Sequence, residues 1–182
     1  MIQNLEKFVL PKNFRAKSAF VVQLWWITQS TFFAFSPQFL YGWRSFLLNL
    51  FGAKIGKNVK FRPSAKITYP WKLTVGDNSW ISDNVNLYTL GEIEIGKNVV
   101  ISQKSYLCAA SHDYTKETYD IYERRIVIED EVWIATDVFI APGITIGKGA
   151  VIGARSTVLS DMPAGMICVG YPAKPIKSRT VN

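Results

Sequence analysis

Residues 132–158 read VWIATDVFIAPGITIGKGAVIGARSTV, and an aliphatic residue returns at every sixth position of this stretch. These marker positions are Ile134, Ile140, Ile146, Ile152 and Val158. A period of six matches neither one face of an α-helix nor an alternating β-strand. It matches a solenoid with three short strands in each turn, in which every marker points to the interior.

The same spacing extends toward the N-terminus, as far as residue 55. The earlier markers are Ile55, Phe61, Ile67, Val75, Ile81, Leu87, Ile95, Ile101, Leu107 and Ile128. A small or β-branched residue usually stands four positions after a marker, and Gly often follows the marker directly, as in Val75-Gly76. The pattern predicts an all-β solenoid, a parallel β-helix of about five turns, with Gly or Asn at corners where φ is positive.

The spacing is interrupted between Leu107 and Ile128, where a loop over residues 113–125 is inserted. Loops of this length tend to carry function. The chain has one histidine, His112, and it stands where the insertion begins. A single histidine excludes sites that need several imidazoles, such as a three-His zinc centre, and we expect no metal.

Basic residues are concentrated in the N-terminal third. The chain has 21 Lys+Arg and 14 Asp+Glu, a formal net charge of +7. Residues 1–66 hold 10 bases and one acid (10 − 1 = +9), so residues 67–182 hold the remaining 11 bases and 13 acids (11 − 13 = −2). No nucleic-acid recognition motif accompanies this charge, so nucleic acid is not expected as a partner. Two cysteines cannot form a disulfide scaffold, which favours a reducing compartment.

The same third contains a long uncharged segment, in which residues 19–35 read AFVVQLWWITQSTFFAF. Polar residues interrupt this run and Pro37 ends it, so it is a poor match to the roughly 20 apolar residues of a membrane span. We expect two helices, over about 18–35 and 38–51. They dock on the rest of the protein or a neighbouring subunit, or else rest on an anionic membrane surface through Lys7–Lys17 and Arg44. The expected organisation is a helical segment 1–52, a β-helix 53–162 and a C-terminal tail 163–182.

Three stretches resemble one known family. They are residues 132–177, residues 42–81 (GWRSFLLNLFGAKIGKNVKFRPSAKITYPWKLTVGDNSWI) and residues 101–114 (ISQKSYLCAASHDY). Together they are similar to the left-handed β-helix acyltransferases of the hexapeptide-repeat family, within it to the colanic acid biosynthesis acetyltransferase group.

The resemblance implies transfer of acetyl from acetyl-CoA to a sugar hydroxyl during exopolysaccharide, O-antigen or glycolipid assembly. The implied acceptor is a sugar or a lipid-linked saccharide. The resemblance also implies a homotrimer with active sites between subunits. The expected location is the cytoplasm, at the inner face of the membrane if the helices bind lipid.

The resemblance makes His112 the catalytic base. A sugar hydroxyl needs such a base near neutral pH, and histidine is suited to the role. The partner that orients the imidazole stays open between Asp113, Glu117 and a backbone carbonyl. A surface His without a role is the plainer alternative for a lone histidine. Cys108 is read as a small wall residue rather than an acyl carrier.

Further site residues follow from the resemblance. Asn86, and with less support Asn84, are expected to contact the acceptor, although Asn is also common at corners for its backbone conformation alone. Tyr114 in the inserted loop could cover a sugar ring. The coenzyme is assigned to Trp133, Ala135, Thr136, Gly153 and Ala154, with Lys174 and Lys177 near its phosphates.

Two other functions stay open. An N-acetyltransferase acting on an amino sugar would use the same base, because an amine must also lose a proton. A non-catalytic β-solenoid is the second alternative, but we would expect regular Thr ladders in such a protein and no unique His beside a long insertion.

Overall fold

The computed structural model describes residues 2–180, most of which form a parallel β-solenoid. The strands are, in chain order, β1 (Lys54–Ile55), β2 (Lys60–Phe61), β3 (Lys66–Ile67), β4 (Leu73–Val75), β5 (Trp80–Ile81), β6 (Asn86–Tyr88), β7 (Ile93–Ile95), β8 (Val100–Ile101), β9 (Tyr106–Cys108), β10 (Ala110–His112), β11 (Ile121–Glu123), β12 (Ile126–Ile128), β13 (Trp133–Ile134), β14 (Phe139–Ile140), β15 (Thr145–Ile146), β16 (Val151–Ile152), β17 (Thr157–Val158), β18 (Met166–Gly170) and β19 (Ala173–Ser178).

Three parallel sheets form the walls of the solenoid. Face A contains β1-β4-β7-β12-β15, face B contains β2-β5-β8-β13-β16-β18 and face C contains β3-β6-β9-β14-β17. Each coil takes one strand from each face, so coils 1 to 5 are complete. A sixth coil begins where Met162 pairs in parallel with Ile146 and continues into β18. The solenoid therefore has about six turns rather than five. Residues expected as a tail extend face B instead, because β19 returns antiparallel to β18.

The six-residue markers fill the interior, as the sequence predicts. Ile81, Ile101, Ile134 and Ile152 lie in register on successive strands of face B, and all four are fully buried. Ile55 in the first strand is only half-buried, and the other markers are buried. Each additional coil therefore buries another layer of aliphatic side chains, which is how a solenoid builds its core.

The corners use asparagine as predicted, but the glycines have a different role. Asn58, Asn78 and Asn98 have φ between 55° and 61°, a conformation that Asn tolerates. Gly76 does not have a positive φ. A Cβ at Gly76 would lie 2.7 Å from the carbonyl carbon of Gly96 in the next coil. The prediction of a positive φ was wrong for the glycines that follow markers, because these glycines let adjacent coils approach closely.

The N-terminal segment covers the open end of coil 1. It forms a 3₁₀ turn (Leu5–Lys7), α1 (Ala19–Thr28), a π-helical continuation (Gln29–Phe33) and α2 (Tyr41–Leu50), and a further 3₁₀ turn lies at Pro70–Lys72. Trp25, Phe33 and Leu48 are fully buried and belong to the solenoid core cluster. The Trp25 indole donates to the carbonyl of Ile67 at 2.8 Å. One side of the helices is therefore docked on the solenoid, one of the two expected alternatives.

Arg44 lies inside this junction. Its guanidinium donates to the carbonyls of Phe61, Pro37 and Gln38 and to the hydroxyl of Ser36, and the side chain is fully buried. The expectation that Arg44 faces lipid was wrong, because these acceptors hold it between α2 and coil 1. No helix within residues 2–180 has the length and apolar character needed to cross a bilayer.

Candidate active site

His112 lies on a β-hairpin that leaves the solenoid between faces C and A. The insertion predicted as a loop over residues 113–125 contains one strand, β11, which pairs antiparallel with β10 just before the insertion and places His112 opposite Ile121. This hairpin stands at the C–A edge, defined here as the residues between a face C strand and the next face A strand. His112 is half-buried there.

The imidazole of His112 is held by the tip of the hairpin. Its Nδ1 lies 2.8 Å from the backbone carbonyl oxygen of Tyr119, and its ring stacks on the Tyr119 ring at 4.3 Å. A carbonyl oxygen only accepts hydrogen bonds, so Nδ1 carries a proton, and in the neutral imidazole Nε2 then has the lone pair. The two carboxylates considered for this role are engaged elsewhere, Asp113 with Thr115 and Glu117 with Lys7. The orienting partner is thus the backbone carbonyl.

A depression of about 580 Å³ opens in front of His112. Tyr114, one of the predicted acceptor residues, lines it and is 83% exposed. Val9 and Pro11 line it from the N-terminal segment, and the Phe8 ring centroid lies 6.0 Å from that of His112. This N-terminal wall is not evident from the sequence, since apolar residues more than a hundred positions away give no local signal for it.

The two arginines that follow β11 differ in their surroundings. Arg125 forms an ion pair with Glu94. Arg124 lies over the Tyr122 ring at 5.3 Å and against Gly143, whose φ of 86° makes the adjoining corner. Arg125 is therefore not free to meet an anion, whereas Arg124 also lines the His112 depression.

Cys108 lies in the solenoid wall close to the hairpin. Its thiol donates to the carbonyl of Ala110 at 3.0 Å. Burial raises the pKa of the Cys108 thiol above its usual range. Since the thiolate is the nucleophilic form, the structure favours the wall role over that of an acyl carrier.

Four of the predicted coenzyme residues lie along a different edge. The B–C edge comprises the residues between a face B strand and the next face C strand. The amide of Asp137 donates to the carbonyl of Gln103, and the amide of Arg155 donates to that of Thr136. Ala135 and Thr136 thus lie in coil 4 of this edge, with Gly153 and Ala154 in coil 5 beside them. Their side chains are small, whereas the neighbouring Asp137 and Arg155 have exposed side chains on the same edge.

The other predicted coenzyme residues flank the same edge on face B. Trp133 is 47% exposed, and its indole donates to the hydroxyl of Ser102, which lies at the start of the edge. Lys174 and Lys177 lie exposed on β19, opposite Val169 and Ile167. A Cβ at Gly153 would lie 2.6 Å from Val169. The structure therefore brings the seven coenzyme residues to one end of face B and the adjoining edge.

The two predicted acceptor asparagines are separated from His112 within the chain. Asn84 lies on the B–C edge with φ 56°, two coils before Ala135. Asn86 lies on face C, paired in register with Lys66 and Tyr106. Among the described residues, neither asparagine lines the His112 depression. The hydrogen bonds of the described chain likewise do not connect His112 with the coenzyme residues.

No group of three or more His, Cys, Asp and Glu side chains within residues 2–180 is arranged to hold a metal ion. His112, whose Nδ1 is held by the Tyr119 carbonyl, is a side chain of this hairpin that can take part in acid–base chemistry.

The sequence of this chain is similar to those of known proteins. Residues 125–160 match the family model described as bacterial transferase hexapeptide (six repeats). The chain is 60% identical over 178 residues to the colanic acid biosynthesis acetyltransferase WcaF of Escherichia coli, covering 98% of each chain.

The fold of this chain also superimposes on those of solved acetyltransferase structures. A maltose O-acetyltransferase from Clostridium difficile superimposes with a TM-score of 0.81 at 27% identity, covering 91% of each chain. The hexapeptide-repeat acetyltransferase VCA0836 from Vibrio cholerae, solved with acetyl coenzyme A, superimposes with a TM-score of 0.79 at 25% identity, covering 88% of each chain. The chain belongs to the hexapeptide-repeat acetyltransferases.

Proposed function

We propose that the protein is a sugar O-acetyltransferase that uses acetyl-CoA and has His112 as its general base. In the reaction, Nε2 accepts the proton of the acceptor hydroxyl while the hydroxyl oxygen attacks the thioester carbonyl carbon. The C–S bond then breaks, and the proton passes from the imidazolium to the leaving thiolate. Coenzyme A and an O-acetyl sugar are released.

The observation that carries this proposal is the contact between His112 Nδ1 and the Tyr119 carbonyl. It fixes the tautomer that leaves Nε2 as an acceptor, which a general base requires. The small residues of the B–C edge, Ala135, Gly153 and Ala154, support a place for the pantetheine arm because they permit close approach. With neighbouring coils about 4.8 Å apart, the edge runs about 14 Å from Asn84 in coil 2 to Ala154 in coil 5.

We infer further that each active site combines two chains. His112 lies at the C–A edge, whereas the predicted coenzyme residues lie at the B–C edge and on face B. A site that joins the C–A edge of one copy to the B–C edge of its neighbour would bring the base to the thioester. The homotrimer expected from the family fits this arrangement.

Acetyl transfer to a panel of free, nucleotide-linked and lipid-linked sugars tests the proposed reaction. We expect His112→Ala to lower kcat by about 10²–10⁴-fold, the usual contribution of a general base. Unchanged far-UV circular dichroism and melting temperature would show that the variant is folded. A folded variant with near-normal turnover would contradict the role of His112.

Mixing two inactive variants tests the two-chain site. His112→Ala removes the base, and Ala154→Trp fills the exposed B–C edge without entering the core. If the site lies between chains, co-expressed chains form some sites with both parts intact, and activity returns. No recovery in hetero-oligomers verified by mass spectrometry would instead indicate that one chain supplies the whole site.

An amino sugar remains the second candidate acceptor, because His112 could deprotonate an ammonium group equally well. Product analysis separates the two. An O-acetyl ester is cleaved by mild base or hydroxylamine, whereas an N-acetyl amide resists both. A base-stable product would replace the O-transfer proposal with N-transfer.

We also propose that the outer side of the N-terminal helices rests on an anionic lipid surface. Helix α1 is apolar on both sides, and Phe20, Leu24 and Ile27 are exposed on the side turned away from the solenoid. Helices with apolar residues on all sides are normally covered. The basic residues Lys12, Arg15 and Lys17 directly precede this helix.

Vesicle sedimentation tests the lipid proposal. We expect more protein to pellet with vesicles containing phosphatidylglycerol than with phosphatidylcholine alone, and Ile27→Glu to abolish the difference. Leu159→Glu is the matched control, because both residues are 58% exposed and Leu159 follows the last strand of coil 5. Equal pelleting with both lipids, or equal effects of the two variants, would contradict the proposal.

A further inference from the structure

A groove between α2 and the first coils of face B is not explained by the catalytic base or by the coenzyme residues. We name it the Trp80 groove and define it by Tyr41, Lys60, Arg62, Trp80, Asn84 and Lys104. Its volume is about 430 Å³. A second depression of about 700 Å³ shares Tyr41, Lys60 and Trp80 with it and continues between α2 and coils 1 and 2. Volumes of this size are typical of small-molecule sites.

The Trp80 groove has an excess of positive charge. Three cations, Lys60, Arg62 and Lys104, line it with one carboxylate, Asp83, so the balance is 3 − 1 = +2. Asp83 is engaged by Arg62 Nε at 2.8 Å and by the Ser64 hydroxyl at 2.8 Å. Within residues 2–180, the amines of Lys60 and Lys104 form no salt bridge with a carboxylate. Both therefore remain available to a ligand.

The same surface has the side chains that bind saccharides. The Trp80 indole is 48% exposed, and the Lys60 amine is held over it at 4.4 Å from the ring centroid. Asn84 and Gln103 also line the groove, and both residues are exposed. The part of the indole that stays exposed beside Lys60 offers apolar surface to a sugar ring, amides bind hydroxyls, and lysines bind anionic oxygens.

The groove also lies in line with the proposed coenzyme path. The amide of Lys104 donates to the carbonyl of Asp83, so Lys104 is in coil 3 of the B–C edge, next to Ala135 and Thr136 in coil 4. The lysines assigned to the coenzyme phosphates, Lys174 and Lys177, lie beyond coil 5. A ligand in the Trp80 groove would therefore meet the reactive end of the coenzyme rather than its phosphates.

From these observations we propose that the Trp80 groove binds the acceptor, and that the acceptor is an acidic saccharide whose anionic group is held by Lys60 and Lys104. The inference rests on the proposed sugar acetyltransferase function and narrows its substrate class. A uronic acid carboxylate and a sugar-linked phosphate share this chemistry.

Matched acceptor pairs test the inference with the full chain. One pair is a methyl glucoside and the corresponding methyl glucuronide, and the other is a free hexose and its 1-phosphate. Release of CoA thiol gives kcat/KM for each compound. We expect the acidic member of at least one pair to be favoured about tenfold, as two charge-assisted contacts allow. The pair that shows the preference identifies whether the groove binds a carboxylate or a phosphate. High salt should reduce the preference, since the Debye length falls from about 30 Å at 0.01 M to about 3 Å at 1 M.

Variants show which side chains cause the preference for acidic acceptors. Lys60→Ala and Lys104→Ala should each bring the acidic and neutral members to within about threefold of each other. Lys54→Ala, on the outer side of face A, should leave the ratio unchanged. Equal use of acidic and neutral members by the wild type would overturn the inference. So would a rise in KM for acetyl-CoA with an unchanged acceptor ratio, because the lysines would then bind the coenzyme.

Binding to the His112→Ala variant separates this inference from the proposed reaction. Isothermal titration with the same pairs measures affinity without turnover. A preference for the acidic compounds that needs Lys60 and Lys104 would support the inference even if no acetyl transfer were found, in which case the proposed function alone would fail. Equal affinity for both members of every pair would overturn the inference even if transfer were efficient.

Discussion

The Nδ1 atom of His112 lies 2.8 Å from the backbone carbonyl oxygen of Tyr119, seven residues along the chain. The contact crosses the hairpin that interrupts the solenoid. Tyr119 has φ 51°, a conformation uncommon for residues other than Gly, Asn and Asp. The tip of the hairpin therefore both turns the chain and fixes the tautomer of the only histidine.

Tyr119 should act as a positioning residue through its ring. Its carbonyl remains in any variant, so the side chain contributes only the stack on the imidazole at 4.3 Å. Tyr119→Phe keeps the stack, and we expect kcat within about twofold of the wild type. Tyr119→Gly suits the positive φ but removes the stack, and we expect kcat to fall about tenfold, the effect of roughly 1.4 kcal/mol.

Steady-state kinetics with acetyl-CoA distinguishes positioning from a general loss of structure. The KM for acetyl-CoA should stay unchanged in both variants, because the predicted coenzyme residues lie on another edge. Equal losses of kcat in Tyr119→Phe and Tyr119→Gly would show that the phenol hydroxyl, rather than the stacked ring, is what matters.

Cys108 should be dispensable for acetyl transfer. Burial raises the pKa of its thiol, so at neutral pH the reactive thiolate fraction is smaller than for an exposed cysteine and grows only as the pH rises. We expect Cys108→Ala to retain kcat within about threefold, since the proposed direct transfer forms no bond to this thiol.

Two measurements check the role of Cys108. Iodoacetamide labelling of the wild type should be slow at pH 7 and should accelerate above pH 9, read by mass spectrometry of the peptide that contains Cys108. Double-reciprocal plots should intersect, as direct transfer requires. Parallel lines, together with an inactive Cys108→Ala variant, would establish a covalent acetyl-enzyme instead.

The sequence predicts the solenoid well because burial imposes a strict spacing. Ile81 and Ile101 must stack on neighbouring coils, so each insertion or deletion in the pattern is visible from the sequence. The docking of Trp25 could not be predicted in the same way, since helix α1 is apolar on both sides and its pattern does not indicate which side is covered. The hydrogen-bond partner of His112 could not be chosen from the sequence either. Every residue has a backbone carbonyl, so no residue type marks the one that holds the imidazole.

The Trp80 groove escaped prediction for a different reason. Lys60, Trp80 and Lys104 belong to three different coils and come together only through the register of those coils. Each residue alone occupies an outward position before a marker or at a corner, where almost any residue is tolerated. Asn84 was singled out for the acceptor, but its neighbours could be identified only from the structure.

Arg44 should be a major contributor to the stability of the N-terminal junction. Its guanidinium satisfies the carbonyls of Phe61, Pro37 and Gln38 in a buried setting. Arg44→Met fills part of the volume but leaves these acceptors without donors, and we expect the free energy of unfolding to fall by about 2–4 kcal/mol. Arg44→Lys should lose less, because an ammonium can still donate to some of them.

Urea denaturation followed by tryptophan fluorescence measures both variants, since Trp25 and Trp43 lie in the helices concerned. The order wild type, Arg44→Lys, Arg44→Met is expected for the transition midpoint. An Arg44→Met variant as stable as the wild type would show that water satisfies those carbonyls and that the buried guanidinium is not needed.

Replacing glycine with alanine at two positions tests whether close approach of the coils requires glycine. At Gly76 a Cβ would lie 2.7 Å from the carbonyl carbon of Gly96, and backbone atoms cannot yield as the end of a flexible side chain can. We expect Gly76→Ala to lower the free energy of unfolding by about 1–3 kcal/mol, the usual range for overpacking.

At Gly42, within α2, no atom lies within 4 Å of an added Cβ. Gly42→Ala should therefore raise stability by about 0.5–1 kcal/mol, as alanine does within helices. Thermal denaturation of both variants gives the comparison, and equal shifts in the same direction would refute close coil approach as the reason for glycine at residue 76.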